Sequence, residues 1–183
     1  MELLEAVNSI LTKLGENPVD SVDVRHPTVS IILQHLKSVN KELQAPGWWF
    51  NEHVMKLQPN SDGHVVVPKG TISARVKDKQ TYLEGRKIVC ASTLNDKWDV
   101  PLWVKLRRTL EFEAAPYEFA SWVVDTAAVR AYVADYGYEE VVKLWQMEAR
   151  AKEQLVHGEH IRQRRLSAMK APRYQRMLME MNT

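Results

Sequence analysis

A single cysteine, scattered glycines and no long apolar run set the first limits on this 183-residue chain. The lone thiol, Cys90, cannot close an internal disulfide or anchor a multi-cysteine metal site, and its place after Ile88 and Val89 in a strand-like run predicts a buried core thiol. The glycines stand at 15, 47, 63, 70, 85, 137 and 158, too far apart for a loop whose backbone amides cradle phosphate. No stretch approaches the roughly 18 apolar residues of a membrane helix. Met1-Glu2-Leu3-Leu4-Glu5 lacks the basic start of a secretion signal, so a soluble chain made in the cytoplasm, without membrane contact, is expected. There is no Gly-x-Ser-x-Gly elbow, and Cys90 stands in no nucleophile signature.

What is present is enough apolar material, 45% of residues, for a real core. Leu3, Leu4, Val7, Ile10, Leu11 and Leu14 recur at helical spacing and Gly15 supplies a stop. Pro27 suits a first helical turn, and Val29, Ile32, Leu33, Leu36, Val39 and Leu43 continue that period to Pro46-Gly47. From Trp48 the period changes to two: Ile72, Ala74 and Val76, then Leu102, Val104 and Leu106, alternate with polar or exposed types. Turn signals at Pro59–Gly63, Pro68–Gly70, Glu84–Arg86 and Asn95-Asp96 lie too close together for parallel crossovers, which predicts an antiparallel meander. Pro116 opens a helix apolar on nearly all sides, ended by Gly137. A last helix from Tyr138 is expected to turn Val141, Leu144, Trp145, Ala149 and Leu155 inward.

The expected fold class is therefore α+β: an antiparallel bundle of about four helices, 1–47 and 114–157, with an antiparallel β insertion, 48–113, between the second and third helices. Residues 158–183 are expected to form a projecting C-terminal docking arm. Residues 150–183 hold eight Lys/Arg against three Glu on an otherwise mildly acidic chain, so this arm should seek an acidic surface, protein or nucleic acid. A solvated charged helix end is the plainer account.

Chemistry is sparse. His157-Gly158-Glu159-His160 is the nearest approach to a metal cluster, but it is not a His-Glu-x-x-His pattern, and Gly158 would loosen the helix; no metal and no cofactor are expected. Glu111 and Glu113 could flank a sugar if they shared a strand face, but alternation with Leu110 and Phe112 makes that face the wet one. Of the six tryptophans, Trp122 and Trp145 read as packing, whereas Trp103, pointing away from Val104, could anchor an interface together with Trp48 or Trp49. The candidate partner-binding residues are thus Trp103, Arg162, Arg164, Arg165, Arg173, Arg176, Met177 and Leu178, with Lys170 adding charge for transient contact with nucleic acid.

Ala6-Val7-Asn8 with Ile10-Leu11, then Gly15-Glu16-Asn17-Pro18-Val19, then Gly47-Trp48-Trp49-Phe50-Asn51 resemble the tail tubular protein A family of short-tailed bacteriophages. Leu106-Arg107, Pro116, Phe119 and Trp122-Val123-Val124 follow in the family's order, so the resemblance covers most of residues 6–135; the last helix and tail match poorly. The resemblance implies a structural virion protein and no enzyme. Its place would be a head-to-tail adaptor, one subunit of a dodecameric ring between the portal protein and a nozzle of tail tubular protein B type. The genome would pass through that ring during ejection, touching it transiently and without sequence preference. The alternative is a tail-associated hydrolase of polysaccharide or peptidoglycan using Glu111 and Glu113.

Overall fold

The computed structural model describes residues 1–23 and 25–169. It is an α+β structure with the element order α1 (Leu3–Lys13), α2 (Pro27–Gln44), β1 (Glu52–Leu57), β2 (Thr71–Val76), β3 (Thr81–Glu84), β4 (Lys87–Cys90), β5 (Leu102–Arg108), a short 3-10 turn (Phe112–Ala114), α3 (Tyr117–Tyr136) and α4 (Glu140–Met169). Two compact units divide it: a helical unit of residues 1–40 and 112 onward, and a β unit of residues 41–111.

In the helical unit, the apolar period becomes a core of Ala6, Val7, Ile10 and Leu11 from α1, Val29, Ile32, Leu36 and Val39 from α2, and most of α3. Because α3 is apolar nearly all round, it can lie inside; Phe119, Val123, Ala127 and Ala128 are fully enclosed. Two polar ties set α1 parallel to α3. The Leu3 amide donates to Glu113 Oε1 at 3.0 Å, just before α3 begins, and Lys13 Nζ reaches Asp125 at 2.9 Å. Asp125 also takes Lys152 of α4, and Tyr132 meets Trp145 edge-on with centroids 5.0 Å apart, which makes α4 antiparallel to α3.

Gly137, at φ +81°, ends α3 in the left-handed backbone region that favours glycine. By contrast Gly158 interrupts nothing: α4 runs unbroken through it, contrary to the expected loosening, since a glycine inside a long helix costs only about 1 kcal/mol. α4 also differs from expectation in its rotation. Val142, Ala149 and Val156 face the core, whereas Leu144 and Leu155, expected inside, are 59% and 66% exposed. Lys152 must point at the buried Asp125 carboxylate, and that fixes which side of the helix is inner.

In the β unit, β5 is the central strand of an antiparallel sheet ordered β1-β5-β2, and β3 pairs with β4 in a separate hairpin closed at Gly85. Leu102, Val104 and Leu106 of β5 pack with Ala74, Val76, Val65, Val67, Ile88 and Trp98. A shift between Thr71 and Ser73 bulges β2 against β5. Cys90, at the open end of the hairpin opposite Thr81, is half-buried instead of in the core, its Sγ 3.2 Å from Ser92 Oγ. Hydrogen bonds from Ser92 and Thr93 hold its thiol down to about 7. Ending a four-residue strand, it follows Ile88 and Val89 without sharing their burial.

Candidate interaction surface

The Gly-Trp-Trp-Phe-Asn segment is a structural corner between α2 and β1. Gln44 Nε2 donates to the Leu110 carbonyl at 2.9 Å, and the Leu110 amide returns a bond to Gln44 Oε1 at 2.7 Å. Asn51 Nδ2 donates to the Gln44 carbonyl and its Oδ1 accepts from the Trp48 amide. Trp48 is only 2% exposed, its indole N–H donating to the Leu43 carbonyl at 2.6 Å. It therefore packs this corner and cannot join Trp103 as an interface anchor; Trp49 stacks edge-on against Phe50 at 5.0 Å. Buried polar groups must find partners, which is why Gln44 and Asn51 sit among apolar residues here.

Beyond this corner, the β1-β5-β2 sheet turns a second face outward. Trp103, Lys105 and Arg107 alternate with the buried positions of β5, and in register Trp103 stands opposite Lys56, Lys105 opposite Val54 and Arg75, and Arg107 opposite Glu52 and Ser73. Trp103 is 60% and Val54 66% exposed. Glu52 Oε2 lies 2.7 Å from Lys105 Nζ and Oε1 lies 2.9 Å from Arg107 Nε. Burial opposes the charge of Glu52, but hydrogen bonds from Lys105 and Arg107 outweigh it and lower its carboxyl to about 2. The face is cationic with an apolar centre.

The helical unit has its own exposed apolar strip. Leu144, Met147, Ala151 and Leu155 succeed one another at three- and four-residue spacing on the side of α4 away from Val142, Ala149 and Val156. Met147 is 65% exposed. The sequence pattern carried both stripes, and contacts from other helices, the Asp125–Lys152 pair and the Tyr132–Trp145 packing, distinguish inner from outer.

Of the expected partner residues, Trp103 stands on the sheet face, Arg162 pairs with Glu159 on α4, Arg164 is exposed, and Arg165 falls within the α4 backbone. Lys170, Arg173, Arg176, Met177 and Leu178 lie outside the described residues. Trp103 belongs to the β unit and the α4 arginines to the helical unit. Glu111 and Glu113 do not share a strand, because β5 ends at Arg108 and Glu113 occupies the 3-10 turn, where it accepts the Leu3 amide. Backbone capping at the start of α1 thus claims the carboxylate that strand alternation offered to solvent. His157 faces Glu153 while Glu159 bonds Gln163 and Arg162. Among the described residues no cluster of three or more His, Cys, Asp or Glu is placed to hold a metal, and no helix is long and apolar enough to cross a membrane.

Over 172 residues the chain is 26% identical to the tail tubular protein A of Klebsiella phage KP34, spanning 93% of this chain and 92% of that protein. The family described as "Tail tubular protein" matches residues 4–166, nearly the whole length, and the chain belongs to this family of structural bacteriophage tail components.

Proposed function

We propose that the chain is the connector subunit of a phage tail, repeated as a dodecameric ring between the portal protein and a nozzle of the tail tubular protein B type, and forming part of the channel through which the genome leaves. Its work on this reading is contact with neighbouring chains, without turnover of a substrate. The observation that carries it is the family membership, and the exposed hydrophobes supply its physical means. Trp103 and Val54 on the sheet, and Leu144, Met147 and Leu155 on α4, are large apolar side chains left at the surface of two separate units. A ring subunit needs two different patches, one for each neighbour, and exposed apolar clusters of this kind mark association surfaces.

The basic residues from Arg162 to Arg176, with Met177 and Leu178, act as the arm that docks on the portal, and passing DNA touches the same cations transiently. Cryo-electron microscopy of the parent virion tests the placement: density for this chain between portal and nozzle is expected, and density elsewhere overturns the reading. Removing residues 170–183 should weaken portal binding while leaving the fold intact; unchanged portal affinity would reject the arm.

A further inference from the structure

The outer sheet face carries more cation than its own acid can neutralise. Glu52 already engages both Lys105 and Arg107, so Lys56 and Arg75, both exposed, are surplus charge beside Trp103 and Val54. A surface with an apolar aromatic centre and a cationic rim fits a partner of the inverse kind, apolar in the middle and acidic around it.

The helical unit presents such a surface. The ties Leu3–Glu113 and Lys13–Asp125 hold α1 and α3 parallel and in step, so both helices begin at one end of the unit. That end gathers Glu2, Glu5, Glu113 and Glu118 with Tyr117, all exposed, and Tyr117 is as open as Trp103. Segments 1–12 and 112–124 contain no Lys or Arg. Acids in first helical turns complement the helix dipole, which accounts for Glu5 and Glu118 singly; two parallel helices starting side by side concentrate them.

We propose that the outer face of β1-β5-β2 is a docking surface for a second copy of this chain, and that it receives the acidic ends of α1 and α3 of that copy around Tyr117. The contact is heterologous, one patch against a different one, as ring closure demands. It deepens the ring reading and rests on it. Duplex DNA would supply phosphates to the rim but no apolar complement to Trp103 and Val54, which favours the protein partner.

Charge exchange tests it on the full-length chain. Lys56→Glu with Arg75→Glu leaves Glu52, Lys105 and Arg107 themselves unchanged, and Glu5→Lys with Glu118→Lys reverses the other patch. Each pair should weaken self-association by roughly tenfold at low salt and less at high salt, and the four together should return to within about threefold of the native value. Circular dichroism should be unchanged in all three. Self-association indifferent to either pair, or a fourfold variant no better than the pairs, overturns the proposal. Loss of duplex binding with self-association intact gives the face to DNA and overturns it equally.

Assembled tails decide the case of a chain that associates only in the particle. With Cys90→Ser as background, Trp103→Cys and Tyr117→Cys together should give, on oxidation, a ladder of linked copies that neither cysteine gives alone. A link confined within one copy, or none, rejects the surface. A ladder from a chain seated away from the portal sinks only the connector reading; a chain seated between portal and nozzle without a ladder sinks only the docking surface.

Discussion

Arg107 lies over Gly47: a Cβ at that glycine would stand under 3.0 Å from Arg107 Nε and from a Glu52 carboxylate oxygen, at a backbone φ of +92°. One glycine therefore lets the chain turn from α2 into β1 and gives room to the ion pair that organises the sheet's outer face. Gly47→Ala should cost about 2–4 kcal/mol, from left-handed backbone strain and displacement of Arg107. Urea unfolding measures it, and a loss under about 0.5 kcal/mol would show that the turn tolerates a side chain.

Asp125 is held between Lys13 and Lys152 with its side chain 4% exposed. Burial works against the charge of Lys13, but its hydrogen bonds to Asp125 and Glu148 outweigh that and raise it above the ordinary lysine value. Asp125→Asn leaves two cations facing a neutral amide, so a loss of about 3 kcal/mol or more is expected. Thermal unfolding of Asp125→Asn beside Glu148→Gln checks it; the partly exposed Glu148 should matter far less.

Glu52 gives the fold an acid-side dependence. Its carboxyl sits at about 2 when folded against an ordinary 4.5, so folding favours the ionised form. That stabilisation is complete above pH 4.5 and fades as pH falls toward 2. In Glu52→Gln the part of the stability loss due to this group should vanish between those limits, read as a shallower slope of unfolding free energy against pH. An unchanged slope would mean that Lys105 and Arg107 do not hold the carboxylate.

The two stripes of α4 make opposite predictions. Val156, fully buried, should lose about 1–3 kcal/mol on Val156→Ala, while the exposed Leu155 should tolerate Leu155→Glu within about 0.5 kcal/mol. Chemical denaturation of both variants checks the rotation of the helix, and a larger loss at Leu155 would reverse it.

Much of the fold was legible locally. Period-3.6 runs bounded by Gly15, Pro27, Pro116 and Gly137 became α1, α2 and α3, and the alternation through Leu102, Val104 and Leu106 became β5 with Trp103 outward. What failed needed tertiary information. Rotation of α4 depends on a carboxylate contributed by α3, and Trp48 is buried because Gln44, Asn51 and Leu110 close around its corner. Glu113 left its expected strand to meet an amide more than a hundred residues away. The sheet face was half visible: Trp103 stood out, but Val54, Lys56 and Arg75 joined it only through cross-strand register.

β5 writes two messages in one seven-residue word, every second letter addressed inward and the others outward. Swapping a letter edits one message and spares the other, so a substitution at Trp103, Lys105 or Arg107 alters the outer face while leaving the core of Leu102, Val104 and Leu106 intact. Adding or dropping a letter is different: all following side chains trade sides, driving Lys105 and Arg107 into the apolar layer and leaving Val104 and Leu106 in water. The strand can therefore change its outer script by replacement, whereas changes of length must fall in the loops around it.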